Sequence, residues 1–156
     1  MSNGYHVHEA NPFYVQAVSE HRELHAAVDR IRRLLDAPLD DATRERAVDA
    51  RHSLLVLRDQ LARHFAQEEA GGYLEEAIVR LPQIAPQAKV LQRQHRDFLD
   101  RANAMLADAE TGDSAANALL KLKADYVAFA KRLEAHEAAE NVLLQRAFNE
   151  DLGIEL

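Results

Sequence analysis

The sequence predicts an all-α protein folded as an up-down-up-down antiparallel four-helix bundle. Three observations predict it. Four long segments carry apolar residues at the 3.6-residue period of a helix. The connections between them are short, which makes successive helices antiparallel neighbours. Only 5 glycines and 4 prolines interrupt 156 residues rich in Ala, Leu, Arg and Glu, a composition that favours helix. No stretch alternates at period two for long enough to read as a strand.

The first helix is expected from "NPFY" onward. Asn11 suits the N-cap and Pro12 the first helical position. Its apolar stripe is Tyr14, Ala17, Val18, His21, Leu24, Val28, Ile31 and Leu35, and Pro38 ends it. The second helix starts after "LDD", with Asp40 or Asp41 as its cap. Its stripe runs Val48, Leu54, Leu57, Leu61, His64, Glu68, and the pair Gly71-Gly72 stops it. "YLEEAIVRLPQIAP" reads as a short amphipathic connector. The third helix runs from about Pro86 to Ala109 with Ala88, Leu91, His95, Phe98, Leu99, Ala102 and Leu106 on its stripe. "ETGD" is a turn. The fourth runs from about Ser114 to Asn149 with Leu119, Leu122, Tyr126, Phe129, Leu133, His136, Glu140 and Leu143. The domain is thus expected over 12–150, behind a flexible tail of residues 1–11.

Bulk chemistry removes several function classes. A formal charge of −7 disfavours nucleic acid and anionic membrane surfaces as partners. The absence of cysteine excludes disulfides, thiolate zinc sites, iron–sulfur clusters and cysteine catalysis. The N-terminus lacks the basic start and apolar run of a signal peptide, and no apolar stretch approaches a membrane span. A cytoplasmic location is expected.

Two helical hairpins echo each other. "EHREL" (20–24) resembles "QHRDF" (94–98), and "HFAQEE" (64–69) resembles "HEAAEN" (136–141). The histidines are 43 residues apart in the first half (21 to 64) and 41 in the second (95 to 136). Residues equally far from a hairpin turn meet at one depth. His21 lies 18 residues before Leu39 and His64 25 after it; His95 lies 17 before Gly112 and His136 24 after it. All four histidines therefore reach a similar level, each on an apolar stripe. His64/Glu68 and His136/Glu140 are one turn apart on one face. Imidazoles and carboxylates converging from four helices form a ligand set for a pair of transition-metal ions. Mixed nitrogen and oxygen ligation suits Fe, Mn, Zn, Cu or Co rather than Mg or Ca. A lone core histidine is more often hydrogen-bonded than metal-bound. Four of them with two core carboxylates are harder to bury, since each unpaired charge costs several kcal/mol.

At these residues, His21, His64-x-x-x-Glu68, His95 and His136-x-x-x-Glu140, the chain resembles the hemerythrin-like, or HHE cation-binding, domain family, in its bacterial form. The resemblance covers about 12–149. It implies a non-haem di-iron centre with two iron ions as cofactor. His21, His64, His95 and His136 would be terminal ligands, and Glu68 and Glu140 bridges. Hemerythrins proper carry a fifth histidine one turn along the third helix, where this chain has Leu99. The first helix instead carries "HRELH", so His25 is either the extra ligand, through the approximate two-fold symmetry, or a partly exposed residue at the stripe's edge. The final carboxylate is Glu140, four residues after His136, in place of an aspartate five after it.

Other residues have simpler readings. His6 and His8 fall in the tail and His52 on a polar face. Glu69 is either a residue that orients a ligand imidazole or an exposed charge. Tyr14, Tyr73 and Tyr126 are read as core rings with satisfied hydroxyls. An apolar pocket is expected from Val18, Leu24, Leu61, Phe98, Leu99, Phe129 and Leu133. The resemblance implies reversible binding or sensing of O2, NO or redox state, with a small diatomic as ligand and a separate protein as partner for any signal. The alternatives are a di-iron enzyme that reduces peroxide or O2 or oxidises iron, and an iron storage or donation protein.

Overall fold

The computed structural model describes residues 11–110 and 114–149. The tail up to residue 10, with His6 and His8, and residues 111–113 of the expected turn lie outside the described residues. The helices are α1 (Pro12–Asp36), α2 (Thr43–Glu69), a short α3 (Tyr73–Arg80), a 3-10 turn (Pro82–Ile84), α4 (Ala85–Glu110) and α5 (Ala115–Asn149). α1, α2, α4 and α5 form the bundle, each long helix packing on its two neighbours around the square α1–α2–α4–α5.

Local chemistry sets most boundaries. The Asn11 side chain accepts from the Phe13 amide at 2.9 Å and Pro12 opens α1. At α2 the expected cap shifts: the N-cap is Ala42, with no side-chain bond. Asp40 lies two residues earlier and closes the turn, accepting from the Ala42 amide at 2.9 Å, with Thr43 Oγ1 donating to its carbonyl. The exit from α2 needs glycine twice. Gly71 has φ +85°, and a Cβ on Gly72 would lie 2.5 Å from the Gln67 carbonyl oxygen. Together they turn α3 back across the bundle.

Two apolar clusters fill the interior. The larger, from Leu24 through Leu61 and Phe98 to Leu133, runs toward the α1–α2 connection. The smaller joins Ala17, α3, the 3-10 turn, the start of α4 and the end of α5. Between them lies a polar layer of six buried residues: His21, His64, Glu68, His95, His136 and Glu140. Two stripe assignments need correcting. Val18 is 38% and Val48 64% exposed. Ala17, already on the stripe, is buried beside Val18, and Ala47 and Ala50 lie inward in place of Val48. Among the described residues no helix is long and apolar enough to cross a membrane.

Candidate metal centre

One helix turn decides which residues enter the layer. On α1 the inward positions step 17, 21, 24, 28, and on α4 they step 91, 95, 98, 102. After His21 and His95 the step is three. On α2 and α5 the step after the histidine is four, 61, 64, 68 and 133, 136, 140. So Glu68 and Glu140 point inward, whereas the residues four beyond His21 and His95 point aside. Leu99 is half-buried. His25, the sequence candidate for an extra ligand, is not brought into the cluster. Its side chain is 60% exposed and its Nε2 lies 3.3 Å from Asp29 on the next turn.

The six inward residues meet. Ligand atoms of His21, His64, Glu68 and Glu140 lie within 4.8 Å of one another, as do those of His95, His136 and Glu140. Each carboxylate is shared between the two histidine pairs. Glu68 Oε1 is 2.5 Å from His64 Nε2, and its Oε2 is 3.1 Å from His95 Nε2. Glu140 Oε1 is 3.1 Å from His21 Nε2, and its Oε2 is 3.4 Å from His136 Nε2.

The outward nitrogens are held by four residues related by the internal repeat. His21 Nδ1 faces Asn141 Oδ1 at 2.7 Å, and its counterpart His95 Nδ1 faces Glu69 Oε1 at 3.3 Å. His64 Nδ1 faces Glu20 Oε2 at 2.8 Å, and His136 Nδ1 faces Gln94 Oε1 at 2.8 Å. Every partner is an acceptor oxygen, so each Nδ1 carries a proton toward it and Nε2 is the nitrogen each ring turns inward. The signal for these partners was present in the sequence: they are the first or last letters of the repeated motifs. Of the four, only Glu69 was singled out.

Tyr73 joins the layer unforeseen. It is buried at the start of α3, and its hydroxyl donates to Glu68 Oε1 at 2.6 Å while lying 3.0 Å from His64 Nε2 and 3.4 Å from His21 Nε2. Only the reversal at Gly71 and Gly72 puts it there, and periodicity carries no sign of that. Nothing equivalent faces His95 and His136 among the described residues; Phe65 stacks on the His95 ring at 3.9 Å and Phe98 meets His136 edge-on at 5.1 Å. Glu137 is a second unforeseen residue. It is half-buried, its Oε1 has no hydrogen-bond partner, and burial raises it to about 7 despite nearby His21.

Electrostatics and orphaned atoms test whether a cation fits. Burial works against charge on His64 and His21, yet Glu68 beside the first and Glu140 beside the second outweigh it, raising His64 to about 9 and His21 above its ordinary value. Burial pushes Glu140 up, but His136 and His21 hold it well below the usual carboxylate range. The layer thus favours anionic carboxylate with positive charge beside it. Glu68 Oε2, Glu140 Oε2, His95 Nε2 and His136 Nε2 are buried with no hydrogen-bond partner, since their mutual contacts lack hydrogen-bond geometry. Such orphans are rare in a satisfied core. They converge, and their chemistry is that of metal ligands, so the residues fit a bound cation.

Neither a curated protein nor a solved structure matches the chain. The family described as hemerythrin HHE cation binding domain matches it over residues 15–148. That span contains all six residues of the polar layer, and the chain belongs to the hemerythrin HHE cation-binding family.

Proposed function

We propose that this protein is a non-haem di-iron protein that binds or senses O2, or a related small ligand such as NO. The observation that carries the reading is the division of each carboxylate. Glu68 and Glu140 each offer one oxygen to the His21/His64 pair and the other to the His95/His136 pair. Two ions sharing the two carboxylates would explain why Oε2 of each is buried with no hydrogen-bond partner. His21 and His64 would hold one ion, with the Tyr73 oxygen beside them, and His95 and His136 the other. Bound there, two irons supply the reversible redox chemistry that O2 binding requires. The chain's own contribution is orientation and exclusion of water. Acceptors on Nδ1 fix the four rings, and the flanking clusters keep the layer dry.

A second reading, turnover of O2 or peroxide, is favoured by one observation. Glu137 brings a further carboxyl close to His21, with a buried and unpartnered oxygen. A binding protein has no evident need of it.

Metal analysis with visible spectroscopy tests the assignment. Protein purified without added metal, or loaded anaerobically with ferrous iron, should hold about two iron ions per chain. His64→Ala and His136→Ala should each lose much of that iron. Full retention in both variants would sink the ligand assignment. Anaerobic reduction followed by O2 separates the readings: a spectrum that reverses on O2 removal indicates binding, and continued O2 consumption with a reductant indicates an enzyme.

A further inference from the structure

We propose that small exogenous ligands reach the metal pair on its His95/His136 side, through a groove between α4 and α5 that ends on His136. The inference rests on the di-iron reading above and adds to it the side and the route. Two observations carry it. The first is the inequality of the two halves. The His21/His64 half has four clustered ligand residues and the Tyr73 hydroxyl in contact with both imidazoles. The His95/His136 half receives one oxygen of each carboxylate as the other half does, but no hydroxyl stands beside it among the described residues, and all four orphaned atoms of the layer point into it. One polar neighbour fewer leaves more room there for an outside ligand.

The second observation is a pair of grooves related by the internal repeat. One lies over His64 between α1 and α2, the other over His136 between α4 and α5. They line up residue for residue: Glu20 with Gln94, Leu24 with Phe98, His64 with His136. They differ in size and chemistry. The His64 groove holds about 170 Å³ and is walled by Arg63 and Gln67, with Glu20 and Glu23 opposite. The His136 groove holds about 370 Å³. There Ala135 and Ala139 stand in place of Arg63 and Gln67 and Phe98 in place of Leu24, while Gln94, Asp97 and Arg132 keep the positions of Glu20, Glu23 and Gln60 polar. Two long polar side chains have become two methyl groups, which opens that wall and makes it apolar, with room for a small ligand. Across the His136 ring from this floor, Nε2 lies 3.4 Å from Glu140 Oε2, inside the layer.

Azide binding to the ferric protein, followed by stopped-flow at its charge-transfer band, tests the route. Iron content is measured first on every variant. Ala139→Trp should slow azide association about tenfold or more, because access then needs a conformational change. Gln67→Trp, its counterpart on the other groove, should leave the rate within about twofold of wild type. Both positions are exposed, and Ala135→Leu gives a milder obstruction of the same wall. Unchanged rates in iron-loaded Ala139→Trp and Ala135→Leu would overturn the route. So would a slowed Gln67→Trp. Wild-type protein that takes up no iron fails earlier, at the metal assay, and removes the di-iron reading with the route that depends on it.

Discussion

The polar layer and the larger apolar cluster are built from the same four stripes and differ in what they need. In the cluster, Leu54, Leu57 and Leu61 are fully buried and Ile31 packs with them. Their burial is favourable on its own terms, at about 25 cal/mol per Å². One turn further along, His64 and Glu68 occupy equivalent inward positions and are buried as deeply. There burial is costly, and four polar atoms are left without partners. The comparison teaches that one region stabilises the fold unaided, while the other is held in place by the first and completed by a cation.

Removing the metal gives the largest expected effect, because it acts on the polar layer alone. A ligand bound only by the native state adds RT ln(1 + [L]/Kd), about 4 kcal/mol at a thousandfold excess over Kd. Chelation with confirmed metal loss should therefore lower Tm clearly, with little change in far-ultraviolet dichroism. An unchanged Tm would mean that the layer needs no cation, and the contrast between the regions would disappear.

Leu57→Ala acts on the other region. A fully buried leucine cut to alanine should cost about 3 kcal/mol. Leu57 lies two turns from His64, so the loss should be similar in metal-free and metal-loaded protein. Urea unfolding of both forms checks this. A cost that appears only in the loaded protein would show the two regions to be energetically fused.

The reverse change should turn the polar layer into the apolar one. Glu68→Leu with Glu140→Leu removes the shared carboxylate oxygens and should abolish metal uptake. The metal-free variant should also be about 3 kcal/mol less stable than metal-free wild type, since it removes one partner of each buried pair and leaves His21, His64 and the Tyr73 hydroxyl without theirs. Denaturant unfolding after chelation measures it. An equally stable double variant would mean that the carboxylates contribute nothing to the metal-free fold.

The same contrast explains what the sequence made legible. Helix number, order and direction follow from stripes that tertiary packing merely uses. The six layer residues were readable because they sit on those stripes and because the motif around them occurs twice. His25 carried two readings, extra ligand or exposed edge of the stripe, because spacing by four looks equivalent everywhere on a helix, while the inward steps alternate between three and four. After His21 the step is three, to Leu24. Val18 and Val48 were placed inward because valine reads as core, whereas the neighbouring alanines hold the inward positions. Tyr73 is the core ring with a satisfied hydroxyl that the sequence suggests, but its place in the layer, like that of Glu137, was not legible, for another reason. Tyr73 reaches the layer through the direction of α3, which two glycines set by backbone conformation. Glu137 comes near enough to His21 for the imidazole to act on its charge, across 116 residues of chain (21 to 137) that no local pattern spans.

The smallest effect concerns the one polar atom that the larger cluster buries and satisfies by itself. Tyr126 occupies in the second hairpin the place of Leu54 in the first. Its hydroxyl donates to the Val28 carbonyl of α1 at 2.8 Å. Tyr126→Phe keeps the ring and removes that bond, which should cost about 1 kcal/mol at neutral pH. Burial, opposed by Arg32, raises the phenol above its ordinary value of 10.0. A raised folded-state value fixes the sign. The stability is fully present below pH 10.0 and is lost as pH rises toward the folded value, because the unfolded chain ionises first. One such phenol contributes a fall of up to about 1.4 kcal/mol per pH unit. Tyr73, raised mainly by burial, adds a second phenol in the metal-free protein. Unfolding free energies of metal-free protein between pH 9 and 11 should therefore fall less steeply in Tyr126→Phe, by about one proton's worth of slope. Parallel slopes would mean that the phenol is not held protonated by the apolar cluster. The cluster's independence from the polar layer would then lose its one titratable witness.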